Sequence, residues 1–111
     1  MSENNETRYE KIISSIVGVT AYQIEGVASL SSDTDNKLTG RLFRSSGKGV
    51  LVDMLGGNKV NIDIFVNIYY GYKIPDLAYE LQSKIISEVE KSTAYKVSAV
   101  NVNVVGVVFK A

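Results

Sequence analysis

The stretch VNIDIFVNIYYGYKIPDLAYELQ, residues 60–82, decides how this chain folds. Its first half alternates. Val60, Ile62, Ile64, Val66 and Ile68 fall on one side of an extended backbone, and Asn61, Asp63 and Asn67 fall on the other. A two-residue period sustained over about nine residues is a strand with one face against a core. The second half changes period. Ile74, Leu77, Ala78 and Leu81, followed by Ile85 and Val89, recur at three- and four-residue steps, the stripe of an amphipathic helix. Between the two stands Pro75, the single proline of the 111 residues. Gly71 permits a turn after the strand, and a proline in the first helical turn lacks only an N–H that has no partner there. Asp76 then places negative charge at the positive end of the helix dipole. Pro75 therefore marks a strand-to-helix junction.

The flanks complete the pattern. Upstream, GVLVDM and KVNIDIF bracket Gly56-Gly57-Asn58, a hairpin signal. Downstream, KVSAVNVNVVGVVF (96–109) sets Val100, Val102 and Val104 against Asn101 and Asn103, and Gly106 interrupts the alternation as a bulge would. Nearer the start, Tyr9, Ile12, Ile13, Ile16, Val17 and Ile24 approximate helical spacing over residues 9–23. Residues 31–49 are rich in Ser, Gly, Asp and Asn, which favour turns over regular pairing; within them 36–44 could close one short helical turn. The expected fold is α+β, a two-layer sandwich. Two helices lie on one face of a mixed three- or four-stranded sheet, in the order helix, hairpin, helix, strand, with the crossover strands parallel. Residues 1–8 read as a flexible tail and 9–111 as a single domain, a size that can bury a core unaided.

Composition narrows the chemistry. Twelve basic and twelve acidic residues cancel, so no global field favours nucleic acid or a membrane surface. The chain has neither cysteine nor histidine, which removes thiol chemistry, the usual zinc ligands and the commonest general base. No run approaches the roughly 18 apolar residues of a membrane span, and the polar, acidic start lacks the form of a secretory signal, so direct membrane insertion is not expected.

Local motifs were weighed against that background. SSGKG at 45–49 lacks the glycine that a phosphate loop needs at position 42, where Leu42 stands. DTDN at 33–36 opens like a calcium loop and then fails at Lys37 and Arg44. Seven tyrosines could stack bases, but they scatter over helical and junction positions rather than over one sheet face, and no nucleic-acid partner is expected. Two constellations remain. Asn61, Asp63, Asn67, Asn101 and Asn103 form a candidate interaction face if their strands are neighbours. Lys37, Arg41, Arg44 and Lys48, with no acidic residue among them, form a candidate basic patch for an acidic partner. No carboxylate cluster stands at a catalytic spacing, so an enzyme is not expected, nor a cofactor or metal.

The chain resembles the alkaline shock protein family, the envelope stress response proteins of Gram-positive bacteria. The likeness is carried by IEGV at 24–27, GVLVDM at 49–54, the YG-x-x-IP segment of Tyr70, Gly71, Ile74 and Pro75, then Gln82, Val89-Glu90, Thr93 and VNVNVVGV at 100–107. It covers residue 10 to the end, with Ala94-Tyr95 after Thr93 where members often have Thr-Gly. The resemblance implies a cytoplasmic, non-enzymatic protein without cofactor, acting in envelope stress as an interaction or scaffold module. It would do so through homo-oligomerisation or through a membrane anchor protein. The alternative it implies is a soluble regulator of a fatty-acid or lipid-synthesis enzyme. Physically, Tyr70, Gly71, Ile74 and Pro75 are read as a structural junction.

Overall fold

The computed structural model describes residues 5–31, 45–47 and 49–110. Its elements are helix α1 (Asn5–Tyr22), strands β1 (Val27–Leu30), β2 (Ser45–Gly47), β3 (Val50–Gly56) and β4 (Lys59–Tyr69), helix α2 (Ile74–Ser92) and strand β5 (Lys96–Val108). The α+β architecture, the order of the main elements and the mixed sheet are those expected. The short strands β1 and β2 come in addition, and they bring the sheet to five strands. The postulated turn over 36–44 lies outside the described residues.

Strand β4 is the centre. One of its edges is taken by β5, parallel, over Lys59–Tyr69. The other is shared end to end by two antiparallel strands, with β3 along residues 59–64 and β1 along residues 66–68. They meet at Phe65, whose N–H donates to the Gly49 carbonyl at 2.9 Å and whose carbonyl accepts from the Ser31 N–H at 2.8 Å. The abutment leaves no room for a side chain at Gly49. A Cβ there would lie 2.7 Å from the Ser31 carbonyl oxygen, and its φ of +72° is a conformation that side chains disfavour. The β3–β4 hairpin turns on Gly57 and Asn58, with φ of 61° and 62°, the left-handed pair that matches strand twist in a two-residue loop.

Both helices pack on one face. Val60, Ile62, Ile64, Val66 and Ile68 of β4 enter a core with Ile13, Val17 and Ala21 of α1, and Leu77, Leu81, Ile85 and Val89 of α2. Each aliphatic side chain taken fully from water contributes roughly 1.5–3 kcal/mol. The periodic reading holds for these positions and fails at the helix ends. Ile74, counted in the stripe, is substantially exposed because it opens α2 before the helix meets the sheet; Ile12, inside α1, is 41% exposed as well. Pro75 stands in that first turn, and Lys73 precedes it without a side-chain cap. Thr93 closes the other end. Its N–H and hydroxyl both donate to the Val89 carbonyl, at 3.0 and 2.8 Å, and its Oγ1 accepts from the Tyr95 N–H at 3.1 Å.

Two alanine substitutions test this frame with opposite signs. Gly49→Ala strains a left-handed residue against backbone and should cost about 2 kcal/mol, lowering Tm by roughly 10 °C. Gly18→Ala, in the interior of α1, adds a Cβ at an ordinary 3.9 Å from Leu30 and should raise stability by about 0.5–1 kcal/mol. Thermal unfolding of the two variants against the parent chain measures both.

Candidate functional site

With the helices on one side, the other face of the sheet carries the odd residues of β4 and their neighbours. The register sets Asp63 beside Asn101 and Phe65 beside Asn103, so the five polar residues expected to share a face do share it. Most are held by hydrogen bonds rather than free. Asn101 Nδ2 donates to Asp63 Oδ1 at 2.8 Å, Asn103 Nδ2 to the Ile64 carbonyl at 3.1 Å, and Asn67 Nδ2 to Ser29 Oγ at 3.1 Å. Asn61 Oδ1 is buried and has no partner among the described residues. Gly106 lets Asn67 lie where it does, since a Cβ at 106 would stand 2.5 Å from Asn67 Oδ1. Two apolar members interrupt the row. Phe65 and Leu51, on this face of β4 and β3, are 3% and 4% exposed. The face is therefore a row of mostly hydrogen-bonded polar side chains around two buried apolar ones.

The strand-to-helix junction forms a second locality. Gly71 turns the chain with φ +104°, and Tyr70 projects outward, 68% exposed, with its ring 4.8 Å from that of Phe109. Ile74, Pro75, Val107 and Val108 are exposed nearby in the fold, and a cavity of about 350 Å³ opens between Ile68, Tyr69, Tyr70, Tyr72, Ile74 and Val107. On the other side of the junction, Tyr72 turns back over Gly26, where an added Cβ would stand 2.9 Å from its ring, and its hydroxyl donates to Glu25 Oε2 at 3.1 Å. The turn residues thus do serve a junction, while also placing an exposed aromatic and aliphatic patch at one end of the sheet.

Sequence reasoning missed two features here. The alternation of Val100, Val102 and Val104 says nothing of Val105, Val107, Val108 and Phe109, which are all exposed. Gln82 and Glu90 enter the sequence reading only through the family resemblance, yet both reach the backbone of β5. Gln82 Nε2 donates to the Val100 carbonyl at 3.0 Å, and Glu90 Oε2 accepts from the Val97 N–H at 2.9 Å. Their eight-residue spacing on one side of α2 was the available signal. The basic patch of Lys37, Arg41, Arg44 and Lys48 lies outside the described residues. Among the described residues no group of three His, Cys, Asp or Glu side chains could hold a metal, and no helix is long and apolar enough to cross a membrane.

Comparison with known proteins places this geometry. A family model described by its cell envelope-related function matches residues 2–109. The chain belongs to the alkaline shock family. It is 33% identical over 102 residues to the uncharacterized protein Spy1535 of Streptococcus pyogenes, covering 88% of this chain and 74% of that one. It is 28% identical over 100 residues to the uncharacterized protein YqhY of Bacillus subtilis, covering 89% and 73%. It is also similar to the solved MamM CTD carrying three substitutions, with a TM-score of 0.51 at 10% identity over 94% of this chain and 99% of that one. That likeness is one of fold.

Tyr72 supplies a pH test of the junction. The hydrogen bond to Glu25, then burial, then the negative charge of Glu25 and Tyr69 push its phenol above 10.0. A raised native pKa means that the contact's contribution is complete below the ordinary tyrosine value and is lost as pH rises through the native one. Alkaline absorbance titration, read as the difference between the parent chain and Tyr72→Phe, should place Tyr72 ionisation above pH 10. Glu25→Gln should move it back down.

Proposed function

We propose that this member of an envelope-related family is a non-catalytic interaction module, working in the cytoplasm by assembling with copies of itself and with a membrane protein. The observation that carries this reading is the division of the sheet into an apolar face and a polar one. The helices bury one face, and the opposite face holds Asn61, Asp63, Asn67, Asn101 and Asn103 in one lattice across neighbouring strands. Side chains already fixed by hydrogen bonds to Asp63, Ile64 and Ser29 lose little freedom when a partner docks. Short amides offer a partner both donors and acceptors with no net charge, which suits recognition by shape and hydrogen bonding rather than by long-range attraction.

The test is a tagged capture from native cells, with soluble and detergent-solubilised membrane fractions run separately, comparing the parent chain with Asn61→Lys/Asn103→Lys. The reading expects a membrane protein recovered with the parent chain from the detergent fraction. It also expects recovery at least ten-fold lower with the variant, whose circular dichroism should match the parent. Equal recovery by both chains would remove the polar face from the account. Recovery of a soluble lipid-synthesis enzyme alone would replace the reading with that of an enzyme regulator.

A further inference from the structure

We infer that the C-terminal half of β5, residues 102–108, is the contact through which two copies of this chain join, edge to edge, into one continuous sheet. The inference rests on the interaction-module reading and names the surface that self-assembly uses, leaving the polar face to the other partner.

The edge itself is the first observation. Among the described residues β5 pairs with β4 alone, so its second edge has no strand against it. The direction of its backbone groups follows from the bonds made. Val97 N–H and Val100 carbonyl point away from β4, because Glu90 and Gln82 of α2 meet them there. Lys96 N–H and Val108 carbonyl point toward β4, where they meet Asn58 and Tyr70. Since direction alternates along a strand, Val102, Val104 and, past the bulge, Val107 also turn their N–H and carbonyl groups outward. The helix thus caps the outer edge at 97 and 100, and the caps stop there.

Native sheets guard such an edge with charge, proline or a covering element. This one carries no charged residue and no proline between Lys96 and Lys110. Its guards are the helix caps at 97 and 100, a bulge between Val97 and Ala99 and a second between Val104 and Gly106, and past the caps the residues around the second bulge are apolar and exposed: Val105, Val107 and Val108 are each between 39% and 50% accessible, and Phe109 more so.

A second copy fits better than a charged partner. The formal net charge of the chain is +0, so two copies meet without long-range repulsion, and the open edge offers no charge for a foreign segment to recognise. The edge is also self-complementary. In an antiparallel pairing that sets Val102 opposite Val107 of the second copy, both members turn their bonding groups toward each other. In the same register Asn101 falls opposite Val108, both on the polar face. The bulge makes this possible, because it lets residues five apart share both side-chain face and bonding direction. In this register Lys110 faces Ala99 and not a second lysine.

The register supplies its own test. Asn101 and Val108 have their backbone groups spent on β4, so across the new contact they form a non-hydrogen-bonded pair with Cα atoms about 4.5 Å apart, which a disulfide spans. The chain has no cysteine of its own. Asn101→Cys/Val108→Cys should therefore oxidise quantitatively to a covalent dimer, while either single variant, which places no cysteine opposite another, should stay uncrosslinked. In parallel, light scattering of the intact chain should give the mass of two copies or more, and Val105→Lys/Val107→Lys should fall to one copy with its melting transition retained. A dimer that persists in the lysine variant, or a cysteine pair that links no better than the single variants, overturns the edge contact and leaves the interaction-module reading standing. A parent chain that is monomeric at every concentration overturns the contact too, and the capture experiment then decides the module reading separately.

Discussion

Everything in this molecule depends on β4 being paired along both edges. A strand can be satisfied on each side by one long neighbour, and β5 is such a neighbour. On the other side the chain uses two shorter strands placed end to end, and the backbone of Phe65 is divided between them. That division requires a backbone without a side chain at Gly49 and a tight entry at Ser31. It also anchors the segments on either side of residues 32–44 to a single point. The core follows from the same strand, since its even-numbered residues are the surface onto which both helices pack. The candidate surface follows from its odd-numbered ones.

The legible part of the sequence was the part whose signal is local. Alternation in β4 and β5, helical spacing in α2 and the Gly57-Asn58 turn each express a rule that operates within a few residues. Pro75 was informative because a proline's tolerated positions are so few. The parallel β4–β5 pairing followed from the short helical crossover. What could not be read is non-local. Strands of three or four residues such as β1 and β2 hold no period long enough to detect, and they exist because β4 offers an edge to β1 and β3 offers one to β2. The division at Phe65 is invisible without knowing that two segments distant in sequence arrive at one residue.

The candidate site was legible in composition and not in state. Grouping Asn61, Asp63, Asn67, Asn101 and Asn103 required only that β4 and β5 be neighbours. Their mutual bonds, and the burial of Phe65 and Leu51 among them, depend on register and on what lies over the sheet. The exposure of the end of β5 was not legible for a related reason. An apolar run normally signals burial, and Val105 to Phe109 is buried by nothing described here. Gln82 and Glu90 show that the fold does cap a strand edge with helix side chains where the helix reaches it, and α2 offers no such partner to the outward groups beyond Val100.

Function then reduces to what a sheet does when one face is polar and part of one edge is without a strand partner among the described residues. The polar lattice offers hydrogen bonds held in place, and the apolar edge offers unpaired backbone. Neither calls for a cofactor, and both suit a protein that acts by joining others. The central claim is that the outer backbone groups of β5 are the contact between copies, and amide hydrogen exchange followed as a function of protein concentration tests it most directly. The account predicts that the amides of Val102, Val104 and Val107 exchange progressively more slowly as concentration rises, while those of Asn101 and Asn103, already directed at β4, are protected throughout. Fast exchange of Val102, Val104 and Val107 at every concentration, in a chain that nonetheless self-associates, would contradict it.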